Sequence, residues 1–182
     1  MASACLFSGF SGSVASAGFL PVSEIGFRAS QKATNEARPP VLPPIFLSDL
    51  SGTPVMISHI KGRPLLVINF LATWCAPCLK EIPSLVRLVR ISKGRVSVIG
   101  VLEGEDSREN IRSVLRKEHA DFPLLLDRQM KLSSALHVVG LPTSFLVDSR
   151  GRIVSRVSGS VNWTDPKVIH YLKSFILSKA GF

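Results

Sequence analysis

Apolar residues in this chain fall into two kinds of run. Residues 65–70 and 96–102 are short, nearly unbroken apolar stretches with β-branched members, and each reads as a buried strand. Between them, residues 79–91 repeat Leu, Val and Ile at helical spacing, with Pro83 inside the repeat. Strand, helix and strand in that order predict a βαβ unit, with parallel strands and a right-handed crossover. Upstream, residues 46–50 and 55–57 flank a Ser51-Gly52 turn and predict a small β-hairpin. Downstream, Asp106 or Ser107 can cap a helix reaching about Lys117, and residues 122–126 predict an added strand. A short helix over 128–136 follows, then strands at 144–147 and 153–157 joined by a turn at 148–151. Asp165-Pro166 opens a last helix running to about Ser178, with Trp163 read as a residue that packs it. Pro142 directly precedes the 144–147 strand. A proline cannot donate to a ladder, so it belongs at the strand's start, and a cis Leu141–Pro142 bond is one solution.

The first forty of the 182 residues do not follow these patterns. Residues 1–19 carry no charged side chain, and Ala15-Ser16-Ala17 follows a moderately apolar stretch. Residues 1–17 are therefore expected to be a targeting segment, resembling the back half of a signal peptide without its basic start. A plastid or mitochondrial transit peptide is the rival reading, because the region is Ser-rich and poor in acids. Residues 18–44, ending in Arg38-Pro39-Pro40-Val41-Leu42-Pro43-Pro44, read as a flexible linker, and residues 45–182 as one domain. The net charge of +9 is spread along the chain, with no basic block interleaved with aromatics, so nucleic-acid binding is not expected.

The chemistry concentrates in Trp74-Cys75-Ala76-Pro77-Cys78, between the first buried strand and the helix. Two cysteines spaced by two residues at a helix start can close a disulfide and reopen it. The first helical turn offers unpaired N–H groups and the positive end of the macrodipole, so Cys75 is expected to be the more acidic thiol and the nucleophile. Cys78, one turn further in, is the natural resolving thiol. Pro77 stiffens the loop between them. Zinc would need two more ligands, and neither Cys5 nor the histidines at 59, 119, 137 and 170 form a matching pair, so no metal is expected; the two cysteines are themselves a redox centre, so no organic cofactor is required.

With residues 60–70, 72–78, 140–148 and the Gly151 turn taken together, the chain resembles the thioredoxin superfamily. Within it, the chain is similar to exported TlpA/ResA-like thiol-disulfide oxidoreductases, over about residues 45–177. The resemblance implies an α/β thioredoxin fold: a central mixed sheet flanked by helices, with an N-terminal β-hairpin and a βα insertion between Val96 and Leu126. It implies Cys75 as attacking and Cys78 as resolving thiol, paired as a redox disulfide. It implies a cis Pro142 against that disulfide, and a substrate face formed by Trp74, Ala76, Pro77 and Leu141. Thioredoxins of the cytoplasm carry a buried Asp on the strand before the motif, whereas this chain has Asn69, which cannot titrate. Some relatives use an acid from the insertion instead, and Glu105 matches that position, with Glu103 next in line. Leu71 stands where thioredoxins often have Trp.

The resemblance further implies reduction of disulfides in exported proteins, of the cytochrome c maturation or copper-oxidase assembly type. The electron donor would be an upstream membrane or soluble thiol protein. A monomer in the periplasm is expected, with an inner-membrane tether compatible with the linker, and a plastid or mitochondrion as the other location. The alternative function is a copper-binding metallochaperone of the same fold, in which His137 would join the two cysteines.

Overall fold

The computed structural model describes residues 40–60 and 64–177. The expected targeting segment 1–17 and the linker up to Pro39 lie outside the described residues. Seven strands form one sheet: β1 (Phe46–Asp49), β2 (Pro54–Met56), β3 (Leu65–Leu71), β4 (Val96–Glu103), β5 (Leu124–Asp127), β6 (Thr143–Asp148) and β7 (Ile153–Ser158). Among the described residues four α-helices accompany them: α1 (Ala76–Ile91), α2 (Arg108–Lys117), α3 (Lys131–Ala135) and α4 (Pro166–Leu177), with a 3-10 turn at Ile57–His59. The strand order is β2-β1-β5-β4-β3-β6-β7. β3 runs parallel to β4, and β4 to β5, as the βαβ pattern requires. β6 and the hairpin strand β1 join this parallel centre antiparallel to β3 and β5, which makes the sheet mixed. This is the thioredoxin-like α/β fold, with the hairpin and the α2–β5 insertion where the sequence places them.

Strand alternation divides the core. Leu65, Val67 and Leu71 of β3 point to one side, where they pack with Cys75, Cys78, Ile82, Leu85 and Leu88 of the α1 segment and Val168 and Leu172 of α4. Leu66, Ile68 and Phe70 point to the other, against Leu132 of α3, Phe145, and Leu47 and Ile57 from the hairpin region. Both faces of β3 are covered, which is why its sequence is continuously apolar rather than alternating. The one polar residue in the run, Asn69, falls on the α1 side by the same two-residue period. α1 runs from Ala76 to Ile91 with Pro83 inside it.

The packed unit starts earlier than the expected Ile45. Val41 forms a bridge with Arg152, the Leu42 N–H donates to the Gly151 carbonyl at 3.0 Å, and the Ile153 N–H donates to the Pro40 carbonyl at 2.7 Å. Leu42 is buried in the second core. Prolines at 40, 43 and 44 do not prevent this, because an extended strap at a sheet edge needs only some of its N–H groups.

Candidate active site

The end of β3 carries the chain directly into the cysteines. The Cys75 N–H donates to the Ala72 carbonyl at 3.1 Å, closing a tight turn, and Cys75 then caps α1. Its sulfur accepts the Cys78 N–H at 3.3 Å, and its carbonyl accepts the Leu79 N–H at 3.1 Å. One helix-start N–H, that of Cys78, is thus aimed at the sulfur that the sequence marks as nucleophile, with Pro77 in the first turn, where its missing N–H costs nothing. Cys75 and Cys78 are joined as a disulfide with Cα atoms 5.2 Å apart. Both are buried, Cys78 almost wholly and Cys75 slightly less, while Trp74, Ala76 and Pro77 around them are exposed.

The loop before β6 reaches the same end of the sheet, because β6 pairs with β3 through Phe70 and Thr143. The Leu141–Pro142 bond is cis. The Pro142 carbonyl accepts the Gly159 N–H at 2.9 Å, and the Thr143 hydroxyl donates to the Gly140 carbonyl at 2.7 Å, so the loop is held on both sides of the proline. Leu141 packs against the core that contains the two cysteines, and its backbone N–H and carbonyl form no hydrogen bond among the described residues. Val139 is 91% exposed and Trp74 76% exposed, two large apolar side chains on the segments that carry the proline and the cysteines.

The acids are arranged otherwise than the sequence suggests. A proton relay at Glu105 requires a desolvated carboxyl, and Glu105 is exposed, in the loop after β4. Glu103 is half-buried beside its register partner Asp127, and burial, followed by the Asp127 charge, raises its carboxyl above the usual range. Asp106 ties the insertion to the redox loop. It accepts a short hydrogen bond from the Thr73 hydroxyl and further bonds from the Asn110 amide and the Ser107 N–H. The Thr73 bond is the largest influence that holds the Asp106 carboxyl low.

The desolvated acid on the cysteines' own helix is Glu81, which sequence reasoning missed. It stands three residues after Cys78, on the same face of α1 and one turn deeper, and is 2% exposed. Its Oε1 accepts a short hydrogen bond from the indole N–H of Trp163, while its Oε2 is buried without a partner. Desolvation pushes its carboxyl up to about 7; Trp163, Asn69 and the backbone at Val161 oppose the rise. Asn69 donates to the Ser144 hydroxyl at 2.8 Å, across the β3–β6 pair, and its own carbonyl oxygen is unpartnered. A signal for Glu81 existed in the sequence. The apolar stripe Cys78, Ile82, Leu85 and Leu88 passes over position 81, so a carboxylate sits in a buried row. Helical Glu is so often solvent-facing that the stripe alone did not single it out.

Comparison with known proteins decides the family. Residues 40–156 match the AhpC/TSA family. The chain belongs to that family. A ResA thiol-disulfide oxidoreductase from Geobacillus thermodenitrificans is 32% identical over 126 residues, 69% of this chain and 71% of that protein. A thiol:disulfide interchange protein of the thioredoxin family from Chlorobium tepidum superposes with a TM-score of 0.63 at 24% identity, over 80% of this chain and 99% of that one. A secreted Mycobacterium tuberculosis disulfide oxidoreductase homologous to E. coli DsbE superposes with a TM-score of 0.56 at 20% identity, over 74% and 96%. This AhpC/TSA family member has the thioredoxin-like fold, ResA-type relatives and a Cys-x-x-Cys disulfide. It is a thiol-disulfide oxidoreductase. His137, the residue invoked for copper, is exposed in a left-handed turn after α3, and among the described residues no three His, Cys, Asp or Glu side chains gather as metal ligands.

Proposed function

We propose that this oxidoreductase works as a reductant of disulfides in exported proteins, of the kind handled in cytochrome c maturation or copper-site assembly. Glu81 carries the reading. A buried carboxyl one turn from Cys78, with no cation acting on it, disfavours thiolate at the cysteines and so favours their disulfide. Strong oxidants of this fold do the reverse, by stabilising their reduced form. Export is supported by the secreted relative and by the uncharged, Ser-rich N-terminal sequence.

In the cycle, the reduced protein meets an extended substrate segment on the face formed by Trp74, Ala76, Pro77 and Leu141. The free Leu141 backbone pairs with that segment in β fashion beside Pro142. The Cys75 thiolate attacks one substrate sulfur, forming a mixed disulfide and releasing the other sulfur as a thiolate. Glu81 takes the proton of the Cys78 thiol. Cys78 then attacks Cys75 Sγ, closing the 75–78 disulfide and releasing the second substrate thiolate. Two electrons have passed to the substrate, and an upstream dithiol protein restores the pair. Equilibration against a glutathione buffer tests the direction. A reduction potential near thioredoxin's, about −270 mV, is expected, and a value near −120 mV would refute a reducing role. Glu81→Gln should move the potential upward.

A further inference from the structure

Trp163 is fully buried, yet its placement is not explained by packing alone. The segment before α4 is stitched to α1 at three points: the Ser160 hydroxyl donates to the Pro77 carbonyl at 3.2 Å, and two further ties lie one turn apart at Ser84 and Glu81. The Trp163 N–H donates to the Ser84 hydroxyl at 3.1 Å, and that hydroxyl lies 3.3 Å from the Val161 carbonyl. The indole N–H then reaches Glu81 Oε1. An indole nitrogen is a donor only, so it can hold a carboxylate oxygen and gains nothing from the carboxyl's hydrogen. We propose that Trp163 is a positioning residue of the exchange reaction: it fixes the Glu81 carboxyl at Oε1 and leaves Oε2 as the oxygen that takes and returns the proton. This rests on the reading of Glu81 as proton acceptor.

The surroundings make the division of labour specific. Asn69 faces Glu81 from β3, Trp163 and the Val161 backbone from the segment before α4, and Cys78 from its own helix. Among these only Cys78, as the free thiol of the reduced protein, has a proton to lose. The counterweight to desolvation is therefore a set of neutral donors, and the indole is the largest of them. Removing that donor leaves a buried carboxylate less satisfied, which favours its protonated form.

The pH dependence of exchange, measured in wild type, Trp163→Phe, Glu81→Gln and the double variant, tests both ideas separately. Trp163→Phe should move the Glu81-dependent limb upward by about one pH unit, and should move nothing further in a Glu81→Gln background. A wild-type limb in Trp163→Phe, with an altered one in Glu81→Gln, would overturn the role of Trp163 alone. An unchanged limb in Glu81→Gln would overturn both. Ser84→Ala removes the neighbouring backbone tie and should leave the limb in place; a shift equal to that of Trp163→Phe would assign the effect to loop packing. Should Trp163→Phe fold poorly, fluorescence decides. In a Trp74→Phe protein, Trp163 is the sole indole. Its emission should titrate near neutrality and stop doing so when Glu81 is also changed to Gln. Emission independent of pH would refute the proposal.

Discussion

Glu81 and Glu105 are the same side chain in opposite settings. One lies inside a helix stripe behind the cysteines, stripped of water and held by an indole; the other lies in an exposed loop at the end of β4. Both belong to segments leading from the C-terminal ends of parallel strands, where sheets of this class place their chemistry. The difference teaches that arriving at the right end of a sheet does not by itself strip an acid of water. A helix face packed on a sheet does so for Glu81, whereas the loop leaves Glu105 exposed.

The largest effects would break the setting shared by both acids. Cys75→Ser should abolish exchange, while Cys78→Ser should stop at a mixed disulfide that mass spectrometry of trapped complexes would identify. Preferential trapping by Cys75→Ser would reverse the two roles. Next comes the comparison itself. Glu81→Gln should slow resolution by about 100-fold, the scale of a lost general base. Glu105→Gln should stay within about twofold across pH in stopped-flow assays; equal losses in the two variants would erase the distinction.

Stability sharpens the contrast further. Glu81 has a folded-state pKa raised from 4.5 to about 7. Its contribution is fully present below 4.5 and is lost as pH rises to about 7. Urea unfolding of the oxidised protein should therefore reveal about 3 kcal/mol less stability at pH 8 than at pH 4 from this residue, absent in Glu81→Gln. A flat difference between wild type and variant would mean that Glu81 is hydrated. The smallest effect belongs to the insertion. Thr73→Val removes the hydroxyl that Asp106 accepts and should cost about 1 kcal/mol, while Glu105→Gln should cost less than about 0.5 kcal/mol.

The fold was legible because its strands are covered on both faces. Runs such as 65–70 and 96–102 stand out when both sides of a strand are dry, and the punctuation at Ser107, Pro142 and Asp165 marks where elements begin. The cysteines were legible because their chemistry depends on local spacing and a helix start. Glu81 was not, because its character comes from what packs over it: Asn69 lies 12 positions before it, and Trp163 82 positions after. No local pattern joins residues that distant. Pro40 to Pro44 misled in the opposite way. Proline-rich composition describes a chain with few internal hydrogen bonds, and a strap that borrows its bonds from a neighbouring hairpin has the same composition.

That strap also sets the direction in which the domain faces. It fastens at the Gly151 turn, beyond the last residues of β6, whereas the cysteines and Pro142 stand beyond the opposite ends of the same strands. The described chain therefore enters the packed unit at one pole, with the length of the sheet between Pro40 and the redox face. A strap in that place is like the foot of a lamp: it closes the far end of the sheet and leaves the exposed surface around Trp74 unshaded by residues 40–44.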